Sequence, residues 1–215
     1  MEWAIWQVLL GQNNTGSEPP KVFNTRIKRL LDLDRSQTGS TSPRFAFSDT
    51  VPRGKGADIP FTEFDTFCVA LGIDLLDAGF KQAEVVFFLK HIRPQLRKAF
   101  DHLAPYLSVS LRNLVPAENY PKLPSYQSES GDLADFRIFV LIEKVELKEA
   151  YSSISNTDEP LILQPIFCHG ITALQQEINV RDWEFRKAMI LELSHTARLI
   201  TKYLKEAPIA RRGRS

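Results

Sequence analysis

The sequence predicts an α+β protein that is mostly helical. Apolar residues recur at spacings of three and four through residues 61–100 and again through 21–35, which is the period of amphipathic helices. β-Branched and aromatic residues concentrate instead in 136–142 and 161–168, which is typical of strands. The N-terminal half is therefore expected to be helical, and the strands of the α+β class are expected mainly in the C-terminal half.

Residues 61–100 carry the clearest pattern, two amphipathic helices separated by Ala78-Gly79-Phe80. Thr62 is placed to cap the first helix, with Asp65 three residues later in the position of a capping-box acid. Gly79 supplies a C-terminal stop, and the second helix restarts at Lys81. The side chains expected to face inward are Phe64, Phe67, Cys68, Leu71, Leu75 and Leu76, then Val85, Val86, Phe88, Leu89 and Ile92.

Two further helices are predicted before this pair, over residues 2–10 and 21–35, separated by a turn rich in helix breakers. Asn24 or Thr25 can cap the second of them. Its helical period includes Ile27, Leu30, Leu31 and Asp34, and its basic residues near or beyond the apolar stripe are Arg26, Lys28, Arg29 and Arg35.

Residues 36–60 predict a β-hairpin between the helical regions. The expected strands are residues 44–47 and 57–59. The tip between them is polar and glycine-containing, and it is basic through Arg53 and Lys55. A basic tip of this kind is suited to lie along a phosphate backbone.

The C-terminal part predicts a separate α+β domain. Residues 105–135 indicate a linker or long loop, because the stretch is rich in proline and serine. Pro165 favours a sheet edge for the strand 161–168, and Thr172 can cap a short helix through Ile178. Arg181–Lys205 is predicted as one long amphipathic helix with the apolar positions Trp183, Ile190, Leu193, Ala197, Ile200 and Leu204.

Composition is that of an ordinary globular protein. The chain has 215 residues, 43% hydrophobic and 25% charged, and a net charge of +1. Binding to nucleic acid would therefore have to come from a local patch. No signal peptide or membrane span is expected, and a cytoplasmic location with buried free thiols at Cys68 and Cys168 is predicted.

Catalytic and metal-binding patterns do not stand out. His91, His102, His169 and His195 form no His-x-x-x-His pair and no pair with cysteine at ligand spacing. Cys168 and His169 are neighbours, but adjacent strand residues point to opposite faces. The sequence therefore predicts no enzyme activity, no metal and no cofactor.

The helix pair in residues 61–100 resembles the second helix pair of the DNA-binding domain in MerR-type winged helix-turn-helix regulators. The matching positions are Phe61, Thr62, Asp65, Leu71, Leu75, Ala78, Gly79, Phe80, Glu84 and Leu89. The resemblance covers about residues 1–100. Two family features are absent: the Leu-Arg-Tyr-Tyr of the second helix corresponds to Ile27-Lys28-Arg29-Leu30, and Ile59 stands where the wing arginine is usual.

The resemblance implies a winged helix-turn-helix domain over residues 1–104, in a transcriptional regulator that binds double-stranded DNA as a homodimer at a (pseudo)palindromic operator. It says little about the C-terminal half, for which the residues themselves predict a linker over 105–135 and an α+β dimerisation or sensing domain over 136–215, where a small-molecule or protein effector is expected. A non-enzymatic adaptor that binds protein through the N-terminal helices is the alternative.

The expected DNA contacts combine the second helix, the hairpin, the start of the fourth helix and the basic C-terminal tail. They are Asn24, Thr25, Arg26, Lys28, Arg29, Arg35, Arg44, Arg53, Lys55, Lys81, Arg211, Arg212 and Arg214. The six apolar positions of the long C-terminal helix are the expected dimer contacts. Packing of this helix against the strands 136–142 and 161–168 of its own domain is the alternative.

Overall fold

Helices predominate in the computed structural model, which confirms the mostly helical α+β class. It describes residues 1–10, 18–36, 45–49, 60–107, 125–127, 133–135, 137–143, 165–180 and 188–208. None of the helices in these ranges is long and apolar enough to cross a membrane.

The chain divides into two units. One contains Met1–Ser108 together with Thr196–Ser215, and the other contains Val109–His195. The sequence predicts a second domain that keeps everything after residue 135. The structure instead groups the greater part of the last helix with the N-terminal unit.

The N-terminal unit contains helices α1 (Glu2–Leu10), α2 (Lys21–Ser36), α3 (Glu63–Asp77) and α4 (Gln82–Leu107). Helix α3 is its centre, because almost every residue from Phe64 to Leu75 is buried and α1, α2 and α4 all contact it. The sequence of α3 is apolar on nearly all sides, and a helix of this kind has to be surrounded by other elements.

The predicted ends of α3 are confirmed. The Asp65 N–H donates to Thr62 Oγ1 at 3.1 Å, and the Thr62 N–H donates to Asp65 Oδ2 at 3.0 Å, which completes a capping box. At the other end Gly79 has φ 89°, a left-handed conformation that glycine adopts without strain. The Phe80 N–H then bonds the Leu75 carbonyl at 3.0 Å.

Helix α2 begins at Lys21, directly after Pro19 and Pro20, so the predicted caps Asn24 and Thr25 lie inside it. The prediction of the cap was wrong because the prolines preset the backbone of the first turn. The Asn24 N–H already donates to the Pro20 carbonyl at 3.1 Å. The apolar face is confirmed through Ile27 and Leu30, which are fully buried.

Residues Phe45–Phe47 do not form the strand that the sequence predicts. Three consecutive residues are buried there, without the alternation of a strand. The Phe47 ring packs where α3 carries Gly72, since a Cβ at Gly72 would lie 3.0 Å from Phe47 Cε1. Residues 57–59 and the predicted tip lie outside the described residues, so the hairpin as a whole is not described.

The second unit contains an antiparallel sheet in the order β4-β3-β5, with β3 at Ile138–Glu143, β4 at Ile166–His169 and β5 at Ala188–Glu192. The predicted strands are confirmed in β3 and β4, and β4 lies at the sheet edge as Pro165 indicates. Helix α5 (Gly170–Val180) follows β4. Two short paired strands, β1 (Ser125–Gln127) and β2 (Leu133–Asp135), fall within the range predicted as a linker.

The prediction of one helix over Arg181–Lys205 was wrong. Residues Ala188–Glu192 form β5, and helix α6 covers only Leu193–Glu206. Ala, Met, Leu and Glu favour helices intrinsically, but pairing with β3 overrides that preference. The Glu192 carboxylate then accepts the N–H groups of Ser194 and His195, each at 2.8 Å, and so starts α6.

The inner face of α6 is part of the core. Replacing Ile200 should show how much this face contributes to the stability of the protein. Ile200 has no exposed surface. We expect Ile200→Ala to lower the free energy of unfolding by about 2–5 kcal/mol, because the missing methyl groups leave a cavity. Ile190→Ala is the control, since Ile190 is 46% exposed and should cost much less. Equal losses of stability for the two variants in chemical denaturation would contradict the core position of Ile200.

Asp74 should make stability depend on pH. Burial, together with the carboxylate of Asp77, raises the pKa of Asp74 to about 6 from its usual 3.8. Because the folded pKa lies above the unfolded one, this group favours folding below pH 4, and that contribution is lost as the pH rises through 6.

We therefore expect Asp74→Asn to stabilise the protein by roughly 1–3 kcal/mol at pH 7–8 and to have little effect at pH 3.5. Urea denaturation across this pH range measures it. Asp101→Asn, at an exposed position of α4, is the control and should show no such trend. A difference from wild type that stays constant with pH would rule out the cause given for Asp74.

Candidate functional site

The outward face of α2 is strongly basic. Its inward face is made by Phe23, Ile27, Leu30 and Asp34, which are buried. At 3.6 residues per turn the exposed residues fall on the opposite side; they include Lys21, Thr25, Lys28, Arg29, Asp32 and Arg35. Four positive charges and one negative charge give this face a net charge of +3, whereas the whole chain carries +1. We call it the α2 basic face.

Arg26 lies at the edge of the α2 basic face and is engaged within the chain. Its guanidinium Nη2 is 2.5 Å from Oδ1 of Asp77, at the end of α3. Both side chains are partly exposed, and ion pairs of this kind contribute little to stability. Arg26 can therefore exchange Asp77 for an external anion at small cost.

Asn24 and Thr25 differ in their surroundings although both were predicted to contact DNA. The Thr25 hydroxyl is exposed and donates to the Lys21 carbonyl at 2.8 Å. Asn24 is half-buried, and its Oδ1 is enclosed without a hydrogen-bond partner among the described residues. Thr25 thus belongs to the α2 basic face, whereas the side-chain oxygen of Asn24 does not reach solvent.

Most of the other predicted DNA contacts are not found on the α2 basic face among the residues that the structure describes. Lys81 is exposed just before α4, where its N–H donates to Glu84 Oε2 at 2.9 Å. The remaining predicted DNA contacts lie outside the described residues: Arg44, Arg53, Lys55, Arg211, Arg212 and Arg214.

The predicted dimer contacts do not share one outward stripe. Leu193, Ala197 and Ile200 are fully buried within the chain. Leu204 packs against a cluster formed by Ala4, Leu199 and Tyr203. Ile190 is on β5 and partly exposed, and Trp183 lies outside the described residues. The inner face of α6 is therefore occupied by its own chain.

Sequence reasoning missed a charged network around Arg93 of α4. Arg93 is 9% exposed and bonds Asp65, which is 3% exposed, with 2.5 Å between Nη2 and Oδ1. Its Nη1 donates to the Ala46 carbonyl at 2.8 Å, and its Nε donates to Asp49 Oδ1 at 3.0 Å. The partners are 28 to 47 residues away in the chain, so local spacing does not indicate them.

A cleft with a basic lining lies beside this network, and we call it the basic cleft. Its volume is about 360 Å³, and its walls are Phe45, Ser48, Asp49, Phe64, Lys90, Arg93, Pro94 and Arg97. Arg97 stacks on the Phe64 ring at 3.7 Å from its centroid, and its Nη2 bonds Asp49 Oδ2 at 2.5 Å. The lining thus contains three cations and a single acid.

Asp49 is held as a carboxylate. Burial acts to raise its pKa, but hydrogen bonds and charge from Arg93 and Arg97 outweigh that effect and hold the pKa below its usual value. The two guanidinium groups donate hydrogen bonds to the same carboxylate, Arg93 to one oxygen of Asp49 and Arg97 to the other.

Asp34 connects α2 to the same segment. Its two carboxylate oxygens accept the N–H groups of Ala46 and Phe47 at 2.9 and 3.1 Å. Burial raises the pKa of Asp34, although these two hydrogen bonds oppose the change. Residues 45–49 are therefore bonded on one side to α2 and on the other side to α4.

The part of the chain that the structure describes contains no arrangement of side chains suited to metal binding or to thiol chemistry. No group of three or more His, Cys, Asp or Glu residues is placed there to hold a metal ion. Cys68 and Cys168 are free and buried, as predicted. Burial raises the pKa of Cys68 to about 12, so its thiol stays protonated at neutral pH.

Comparisons with protein-family models, with curated proteins and with solved structures gave no significant match. Function is therefore inferred from the residues and geometry of this chain.

The Arg93–Asp65 pair should matter much more to stability than the Arg97–Asp49 pair. We expect Arg93→Gln to lower the free energy of unfolding by about 3–5 kcal/mol, because it leaves a buried carboxylate without its partner. Arg97→Gln is the matched control and should cost less than about 1 kcal/mol, since Asp49 is exposed. Chemical denaturation at pH 7 measures both, and equal costs would show that the network is not organised around Arg93.

Proposed function

We propose that this protein is a sequence-specific DNA-binding transcriptional regulator that contacts double-stranded DNA through the α2 basic face. The observation that carries the proposal is the local net charge of +3 on one face of a chain with a charge of +1. Concentrated cations attract a phosphate backbone where the overall charge does not.

Helix α2 has the form that major-groove recognition needs. It is 16 residues long, which corresponds to about 24 Å of helix. Thr25, Lys28 and Arg29 project outward from its exposed face. In this arrangement the outward side chains of the first half reach base edges, while the longer cations also hold phosphates.

Rigid support for α2 favours the same function. Asp34 holds its C-terminal half to residues 45–49, and the fully buried Ile27 and Leu30 pack its inward face into the unit. A recognition helix that is already held in place loses little conformational entropy on binding. This is the physical reason for preferring DNA contact over a helix that merely carries a solvated basic face.

The proposal includes a homodimer on a (pseudo)palindromic operator, because proteins of the helix-turn-helix type commonly read two half-sites. The dimer interface would use surface other than the buried face of α6. A winged helix-turn-helix fold is part of the proposal, with Arg53 and Lys55 as phosphate contacts. Its wing does not use Phe45–Phe47 as a strand, because Ala46 and Phe47 are bonded to Asp34 and Arg93 instead. We also propose that an effector binds the second unit. Sedimentation velocity of the full chain measures whether the protein is a dimer.

The test is retention of genomic DNA fragments by the full chain, followed by titration of an enriched fragment at several salt concentrations. We expect Lys28→Ala with Arg29→Ala to weaken binding to all sequences. For this variant, the slope of log K against the logarithm of the salt concentration should be shallower than for wild type, by roughly 0.9 for each phosphate that is no longer neutralised. Circular dichroism should show that the variant stays folded.

Lys202→Ala with Lys205→Ala is the matched control. It removes the same charge from exposed positions of α6 in the same unit. This control should bind DNA like wild type. Equal weakening in both double variants would mean that net charge, not the α2 basic face, governs binding. Absence of retention by the wild-type chain would overturn the proposal and favour a protein-binding adaptor.

A further inference from the structure

We propose that the basic cleft binds a small organic anion. Lys90, Arg93 and Arg97 would hold its carboxylate or phosphate. The basic cleft shares no residue with the α2 basic face, so this inference does not depend on DNA binding.

The lining of the cleft carries more positive than negative charge. Three cations and one acid line it, and Arg93 is also paired with the buried Asp65. Lys90 is half-buried, and the charge that acts on it is the carboxylate of Asp34, which is itself buried and accepts the N–H groups of Ala46 and Phe47. Lys90 can therefore still attract an anion that enters the cleft.

Asp49 shows where the anionic group would sit. Its carboxylate joins Arg93 and Arg97, with Oδ1 at 2.9 Å from Arg93 Nη2 and Oδ2 at 2.5 Å from Arg97 Nη2. Guanidinium forks recognise carboxylates and phosphates in this manner. The Asp49 side chain is 59% exposed, so its ion pairs are of the weak kind that an external anion can replace.

A small ligand fits the cleft better than a polymer backbone does. The volume of about 360 Å³ is in the range of small-molecule sites. Arg93 is recessed, with 9% of its side chain exposed, and Lys90 and Arg97 are only partly exposed. The Phe64 ring is 1% exposed and lies beneath Arg97, so it fixes the position of that guanidinium at the wall of the cleft.

These contacts assign opposite roles to the charged residues of the cleft. Lys90 and Arg97 attract the ligand, and Asp49 competes with it for the arginines. Removal of Asp49 should therefore raise affinity, which a merely structural ion-pair network would not do. Arg93 retains Asp65 and Ala46 as partners in that variant, so the fold is kept.

The experiment is isothermal titration calorimetry of the full chain with phenyl phosphate, benzoate and neutral benzyl alcohol. We expect saturable binding of at least one of the two anions and none of the alcohol. The two anionic probes distinguish a phosphate ligand from a carboxylate ligand. Affinity should fall roughly tenfold or more in Lys90→Gln and in Arg97→Gln, and it should rise in Asp49→Asn.

Lys205→Gln, at an exposed position of α6, is the control and should bind like wild type. The proposal fails if neither anion binds to wild type or to Asp49→Asn. It also fails if Lys90→Gln and Arg97→Gln, shown to be folded by circular dichroism, bind the anions unchanged. If these two variants lose DNA retention and no probe binds, the cleft contacts a DNA phosphate and the proposal is overturned.

Discussion

The buried ion pair between Arg93 and Asp65 is the interaction on which the N-terminal unit depends. Asp65 caps the start of α3 and at the same time receives the guanidinium of α4. The same guanidinium bonds the carbonyl of Ala46, so one side chain joins two helices and the segment between α2 and α3. Neither charge tolerates burial alone, and each is satisfied only in this arrangement. The pair therefore adds specificity of packing to the apolar contacts of α3.

Two basic surfaces arise from this arrangement, and they differ in physical character. The α2 basic face is convex and exposed because its apolar side is packed against the unit and Asp34 holds it to Ala46 and Phe47. The basic cleft is concave, flanked by aromatic rings and already occupied in part by Asp49. An exposed row of cations suits an extended polyanion, whereas a recessed group suits a compact one. The difference in shape and solvation is the reason for assigning the two surfaces to different ligands.

Local features of the fold could be predicted from the sequence. The capping box of Thr62 and Asp65, the stop at Gly79 and the inward faces of α3 and α4 depend on residues a few positions apart. The exposed cations Lys28 and Arg29 follow from the helical period of α2 in the same way. The basic cleft could not be predicted, because Arg93 and Arg97 meet Asp49 across more than 40 residues of chain. Spacing within a helix gives no information about such a partner.

The sequence by itself determined which segments are amphipathic and where α3 begins and ends, since these properties arise from neighbouring residues. Tertiary structure alone decided the state of Phe45–Phe47, where the N–H groups of Ala46 and Phe47 bond the Asp34 carboxylate instead of a partner strand. It also decided that Ala188–Glu192 is a strand, because pairing with β3 outweighs the helical preference of these residues. In both cases a hydrogen-bond partner outside the segment decides its conformation, and the spacing of residues within the segment gives no information about that partner.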